Sequence, residues 1–116
     1  MSWLQYCVEQ CKKTPYKRGT QRHYAVIVDK RDRLVSEGAN DYRKTHTLMA
    51  KASKKLGMRK EFCHAECLAL VRARGKGVKM YVARVDSQGE ACYSAPCVVC
   101  ASLISESQIK SIEFTV

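Results

Sequence analysis

Apolar residues recur at helical spacing at the start of the chain. Trp3, Leu4, Cys7, Val8 and Cys11 fall on one face of an amphipathic helix over residues 2–13. Pro15 and Gly19 close that helix inside a basic loop. The period then changes. HYAVIVDK, residues 23–30, has a β-branched apolar centre and predicts a buried strand. A polar turn at Arg31–Arg33 leads to LVSEGA, residues 34–39, a second strand that completes a hairpin. Residues 40–62 are polar and basic, and Leu48, Met49, Ala52 and Leu56 predict a short helical piece there. CHAECLALVRAR, residues 63–74, predicts a helix with Ala65, Leu68, Ala69 and Ala73 as helix formers or core contacts, ended by Gly75 and Gly77. KMYVARV, residues 79–85, is a third strand, DSQG a turn, and EACYS, residues 90–94, a brief extended return. Pro96 stands where a helix begins; CVVCASLISE, residues 97–106, is that helix, and SIEFTV, residues 111–116, a last strand. The order α-β-β-α-β-α-β points to a sheet covered by helices on both faces.

A length of 116 residues fits one compact domain over 1–116, with a core able to stabilise itself. No run of 18 apolar residues occurs, so no membrane span is expected. The start, MSWLQYCVEQCKK, carries its charge after the apolar residues and does not read as a secretory signal. Seven cysteines, an odd number, argue against a disulfide framework and for metal-binding or catalytic thiols in a cytoplasmic protein. Charge is lopsided. Residues 1–84 hold 20 of the 21 Lys and Arg against 7 acids, a balance of +13, whereas residues 85–116 hold one Lys against 4 acids. That excess either keeps the surface soluble or attracts an anionic partner, a nucleotide phosphate or a nucleic-acid backbone.

The chemistry concentrates at two helix starts. His64 and Glu66 fall in the first turn of one, Cys97 and Cys100 in the first turn of the other. If the two starts face each other, an imidazole and two thiolates converge, a donor set that zinc accepts. The CxxC spacing puts both sulfurs on one side of a turn, and the partial positive charge of a helix N-terminus favours thiolate. Three protein ligands leave a fourth position, which a catalytic zinc keeps for water. Glu66, two residues from His64, can stand beside that water without ligating and shuttle protons.

His64-Ala65-Glu66 with Pro96-Cys97-Val98-Val99-Cys100 matches the H-x-E…P-C-x-x-C pattern of zinc-dependent nucleobase deaminases. The chain resembles the cytidine/deoxycytidylate deaminase superfamily over residues 23–116. The resemblance implies a three-layer α/β/α sandwich with a central mixed sheet of four or five strands. It implies a zinc-dependent hydrolase, with Zn2+ held by His64, Cys97 and Cys100, and Glu66 moving protons to ring N3 and to departing ammonia. It also implies that the Ala65 amide meets a pyrimidine carbonyl and that Asn40, in Gly38-Ala39-Asn40, contacts the sugar or the adjoining backbone. The implied substrate is a cytosine base in a free nucleotide or nucleoside such as deoxycytidylate. The alternative is cytosine or adenine in single-stranded DNA or RNA. A homo-oligomer is in keeping with relatives.

Other readings stay open at this point. The metal site could be closed and structural, the CxxC a redox pair, or the whole chain a zinc-stabilised nucleic-acid-binding domain without turnover. Cys63 or Cys67 could replace a ligand. Cys7 and Cys11, at i and i+4, read as core. His46 could touch a base or phosphate, His23 reads as structural, and Tyr93 either flanks the base or packs. Lys51, Lys54, Lys55, Arg59 and Lys60 form a solvated face that could also contact phosphate. Arg72, Arg74, Lys76 and Lys79 read as solubility charges on the far side.

Overall fold

The computed structural model describes residues 1–58 and 62–116. In chain order the elements are α1 (Trp3–Lys13), β1 (Arg22–Val28), β2 (Leu34–Ala39), β3 (Asp41–Thr45), α2 (Thr47–Lys55), β4 (Phe62–Cys63), α3 (Ala65–Ala73), β5 (Lys79–Val85), β6 (Ala91–Cys92), α4 (Val98–Ser105) and β7 (Ser111–Phe114). The main sheet is mixed. β2, β1 and β5 run antiparallel in that order. The far edge of β5 is shared: its first residues pair β7 in parallel, Lys79 with Ser111 through Val82 with Phe114. Its last residues pair β6 antiparallel, Arg84 with Cys92 and Val85 with Ala91.

Period-two alternation in β1 and β5 sorts the core into two layers. Ala25, Ile27, Met80 and Val82 pack with Ala65, Ala69 and Ala73 of α3. Val26, Val28, Ala83 and Val85 pack with Cys7 and Cys11 of α1. Each large side chain fully buried in these layers, such as Ile27 or Met80, contributes about 1.5–3 kcal/mol. A third cluster, Met49, Cys67, Val99, Cys100 and Leu103, joins α2, α3 and α4. This is the three-layer α/β/α sandwich.

Local chemistry sets the element ends. Ser2 and Gln5 form a reciprocal capping box at the start of α1. The Tyr6 and Tyr24 hydroxyls both donate to the Glu37 carboxylate, tying α1 to the hairpin. Gly77, at φ +89°, turns the chain into β5 where a Cβ would run into Ile27, so only glycine fits without strain.

Several boundaries differ from the sequence expectation. β3 and β4 form a separate two-stranded sheet, pairing Asp41 with Cys63 and Thr45 with Phe62, where only a polar stretch was expected. The expected helix over 63–74 begins two residues later, because Cys63 pairs in β4 and His64 is extended at φ −76°, ψ 155°. The last strand ends at Phe114. No helix among the described residues is long and apolar enough to cross a membrane.

Candidate metal centre and its cavity

His64 is the N-cap of α3, so Ala65 and Glu66 open that helix. Cys97 is the N-cap of α4, its sulfur accepting the Cys100 N–H at 3.5 Å. The two starts meet. Cys97 Sγ lies 3.6 Å and Cys100 Sγ 3.3 Å from His64 Nδ1. All three donor atoms fall within 4.8 Å of one another, and among the described residues no other His, Cys, Asp or Glu group does so. A tetrahedral zinc with Zn–N near 2.1 Å and Zn–S near 2.3 Å sets such neighbours about 3.6 Å apart. The spacing and the chemistry of this donor set both fit the ion.

The two sulfurs are electrostatically unequal. A hydrogen bond from the Cys100 thiol, with help from His64 and the Cys100 N–H, lowers Cys97 to about 3. Cys100 is pushed upward, as the donor in that pair and by burial. Glu66 is 4% exposed. Burial raises its carboxyl above the ordinary range, and the hydrogen bond from its own N–H and the nearby His64 pull it only partly back.

These groups open on a cavity of about 370 Å³ lined by His64, Ala65, Glu66 and Cys97, by Gln21, His23, Asn40 and Arg84, by Asp41 and Cys63, by the aromatics Tyr42, Phe62 and Tyr93, and by Ser94 and Ala95. The sheet supplies one wall. His23 pairs across β1 and β5 with Arg84, Arg84 pairs with Cys92, and Asn40 follows the last residue of β2 beside His23. The Asn40 Oδ1 accepts the His23 N–H at 2.9 Å and its Nδ2 donates to the Gln21 carbonyl at 2.9 Å. One amide hydrogen of Asn40 remains for a ligand. Burial, Arg84 and His64 together lower His23 to about 4, so its ring is neutral.

The expected site residues separate into those brought together and those kept apart. His64, Cys97, Cys100, Glu66, Ala65 and Asn40 gather at or beside the donor set. His46 does not line the cavity. It is the N-cap of α2, its Nδ1 accepting the Leu48 N–H at 3.0 Å, so a base or phosphate contact there has no geometric support. Cys67 is fully buried in the third cluster, its thiol pushed up to about 12 by burial. Cys63 lines the cavity outside the donor group. Cys7 and Cys11 donate to the Tyr81 and Ala83 carbonyls within the α1 layer. Lys51, Lys54 and Lys55 stay away from the cavity, and Lys55 pairs with Glu106 at 3.2 Å. Arg59 and Lys60 lie outside the described residues. Sequence reasoning missed Arg84, Tyr42 and Phe62 as cavity residues and took His23 as structural. Only the strand register, which sets His23 opposite Arg84, reveals that pair.

The model of the cytidine and deoxycytidylate deaminase zinc-binding region matches residues 1–116. Among solved structures, cytidine deaminase from Burkholderia pseudomallei is 17% identical with a TM-score of 0.59, covering 96% of this chain and 78% of its own. Cytidine deaminase from Mycobacterium leprae is 20% identical with a TM-score of 0.56, covering 97% and 88%. That from Mycobacterium tuberculosis is 16% identical with a TM-score of 0.53, covering 97% and 85%. A search of curated protein sequences finds no significant match. At these identities the solved structures speak for the fold. The family match spans the whole chain and agrees with a His/Cys/Cys donor set at two facing helix starts. The chain therefore belongs to the zinc-binding cytidine and deoxycytidylate deaminase family.

Proposed function

We propose that the chain is a hydrolytic deaminase, one catalytic domain over residues 1–116, that converts a cytosine base to uracil in a free nucleotide or nucleoside such as deoxycytidylate. One observation carries the reading: the Glu66 carboxyl is buried beside the His64, Cys97 and Cys100 donors and lines the cavity. Bound to those three donors, zinc supplies the Lewis acidity that makes water a nucleophile near neutral pH. Glu66 takes a proton from the attacking water, hands it to ring N3, and passes a second to the departing ammonia. Its raised proton affinity suits both tasks, since a carboxyl held in the ordinary range would return protons poorly at neutral pH. The Ala65 N–H, in the first turn of α3, has no acceptor within its own helix and donates to the pyrimidine carbonyl. Asn40 offers its remaining amide hydrogen to the sugar. The protein acts in the cytoplasm, alone or as a homo-oligomer.

A substrate panel tests this. Zinc-loaded protein is offered cytidine, deoxycytidine, their monophosphates, single-stranded DNA and tRNA, and ammonia release and base change are recorded. Uracil from the free compounds is expected; turnover of adenine alone would overturn it. One feature favours a second reading, a polynucleotide substrate. Tyr42, Phe62 and Tyr93 are 44%, 50% and 63% exposed around the cavity, as suits stacking of neighbouring bases. Under that reading, activity falls steeply with salt as several phosphate contacts are screened.

A further inference from the structure

Among the described residues, Arg84 is the one lysine or arginine that lines the cavity, and the deamination chemistry gives it no task. We propose that Arg84 is a specificity-determining residue that binds a phosphate of the substrate, so that phosphorylated cytosine compounds are selected over the bare nucleoside. The inference rests on the cavity being the substrate site.

The placement follows from the sheet. Arg84 lies on the same face of β5 as Met80 and Val82, the face that α3 covers. Its cross-strand neighbours are His23 on one side and Cys92 on the other. Asn40, His23 and Arg84 thus form one row across three strands. At about 4.8 Å between strands, Asn40 and Arg84 have their backbones about 10 Å apart. A sugar held at Asn40 directs its phosphate along this row, within reach of an arginine side chain.

Two further observations fit a phosphate. The Arg84 Nε donates to the Cys92 sulfur at 3.0 Å, which fixes the stem and leaves the two terminal amino groups as a fork, the geometry that reads phosphate in a bidentate way. The half-buried guanidinium also has no ion pair among the described residues. Of the two acids that line the cavity among the described residues, Asp41 bonds the Arg43 N–H at 2.9 Å and its Nε at 3.4 Å, and Glu66 is buried at the metal donors. Arg22, which also has no ion pair among the described residues, differs in that both its terminal nitrogens are met, by the Thr14 and Asp86 carbonyls at 2.9 and 2.5 Å, only its Nε lacking a partner. A cation held in a cavity without a counter-ion is best accommodated by an anionic ligand.

The test compares zinc-loaded wild type, Arg84→Gln and Arg84→Lys on deoxycytidine, deoxycytidylate and a trinucleotide with a central cytosine. In the wild type, kcat/KM is expected to favour deoxycytidylate or the trinucleotide over deoxycytidine by at least about 10-fold. Arg84→Gln should cut that ratio about 10- to 100-fold, chiefly through KM, as loss of a charge-assisted contact predicts. Arg84→Lys should restore part of it. A fall confined to the monophosphate identifies a terminal phosphate; one confined to the trinucleotide identifies a diester. A ratio moved less than twofold in Arg84→Gln overturns the proposal. Calorimetric titration of deoxycytidine and deoxycytidylate into the Glu66→Gln protein, with and without Arg84→Gln, reads the same contact without turnover. Equal binding of both compounds in the two backgrounds overturns the proposal. A wild type that binds the monophosphate through Arg84 but deaminates no cytosine compound sinks the proposed reaction and leaves the contact standing. Should Arg84→Gln fail to fold, the wild-type selectivity and the Arg84→Lys variant decide; no wild-type preference for either phosphorylated compound refutes it.

Discussion

Replacing Glu66 with Gln isolates the proton-shuttle role proposed for it from everything else at the site. Gln keeps the size and polarity of a side chain that is 4% exposed, and it leaves His64, Cys97 and Cys100 untouched. What disappears is a base able to take a proton from water. Positioned acid–base catalysis is worth roughly 10²–10⁴ in rate, or about 2.7–5.4 kcal/mol of barrier at 1.36 kcal/mol per decade. Turnover should fall by that factor while bound zinc stays at one per chain. The same substitution carries a stability signature in the metal-free protein. Burial raises the Glu66 carboxyl above its ordinary 4.5, so the folded state holds that proton more tightly than the unfolded chain does. The stability this contributes is complete below the unfolded value and is lost as pH rises through the folded one. Gln has no proton to lose, so the melting-temperature gap between variant and wild type, both metal-free, should widen in the variant's favour from pH 4 to pH 8. Ammonia release, metal analysis and thermal melts measure the three effects. Turnover within tenfold of wild type, or loss of zinc from the variant, would refute the role assigned to Glu66.

Removing the metal should soften the fold. With free zinc at 100 times its dissociation constant the ion adds about 2.7 kcal/mol, so chelation should lower the melting temperature by about 10 °C, and His64→Ala should melt identically with and without zinc. In the metal-free protein Cys97, lowered to about 3, is a thiolate at pH 6, whereas burial pushes Cys7, Cys11 and Cys67 to about 12. Iodoacetamide at pH 6 should therefore label Cys97 ahead of those three, and zinc should protect it; even labelling by peptide mass mapping would contradict the asymmetry. Ser94, 2% exposed, bonds the Val82 carbonyl at 3.0 Å, the Thr115 hydroxyl at 2.7 Å and the Thr115 N–H at 2.9 Å. Ser94→Ala should destabilise the protein by about 1–3 kcal/mol, and an unchanged denaturant midpoint would show that this network does not hold the loop to Cys97.

The elements that bury a face were legible in the chain, because burial leaves a period. α1, β1, β5 and α4 all follow their apolar patterns to within a few residues. β3 left none: of Asp41–Thr45 only Asp41 is partly buried, and the strand meets β4 at two positions with a register break between them. The pairing is carried by backbone groups, which sequence does not display. The donor set was legible for a different reason. Ligands held by one helix turn must be close in sequence, so His64 with Glu66 and Cys97 with Cys100 announce themselves locally. The wall opposite has no such constraint. His23 and Arg84 are 61 positions apart and meet only because β1 and β5 pair in one register. His46 reads from sequence as either a base or phosphate contact or an ordinary loop histidine, and neither reading shows the N-cap role in which its Nδ1 accepts the Leu48 N–H.

That difference in legibility follows from a division of labour in the fold. The candidate donors and Glu66 sit at the starts of two helices, where unpaired N–H groups and the helix partial charge favour a thiolate at Cys97, while burial opposes ionisation of Glu66. The residues facing them come from strand ends, where neighbouring strands set side chains side by side at fixed spacing. Under the proposed reading, exchanging a residue of the helix starts should alter whether the metal is held or the proton moves, whereas exchanging Asn40, His23 or Arg84 should change chiefly which substrate is accepted. On that same reading, the helix starts carry the chemistry, and the strand row of an amide, a neutral imidazole and a guanidinium decides which substituent on the base is accepted.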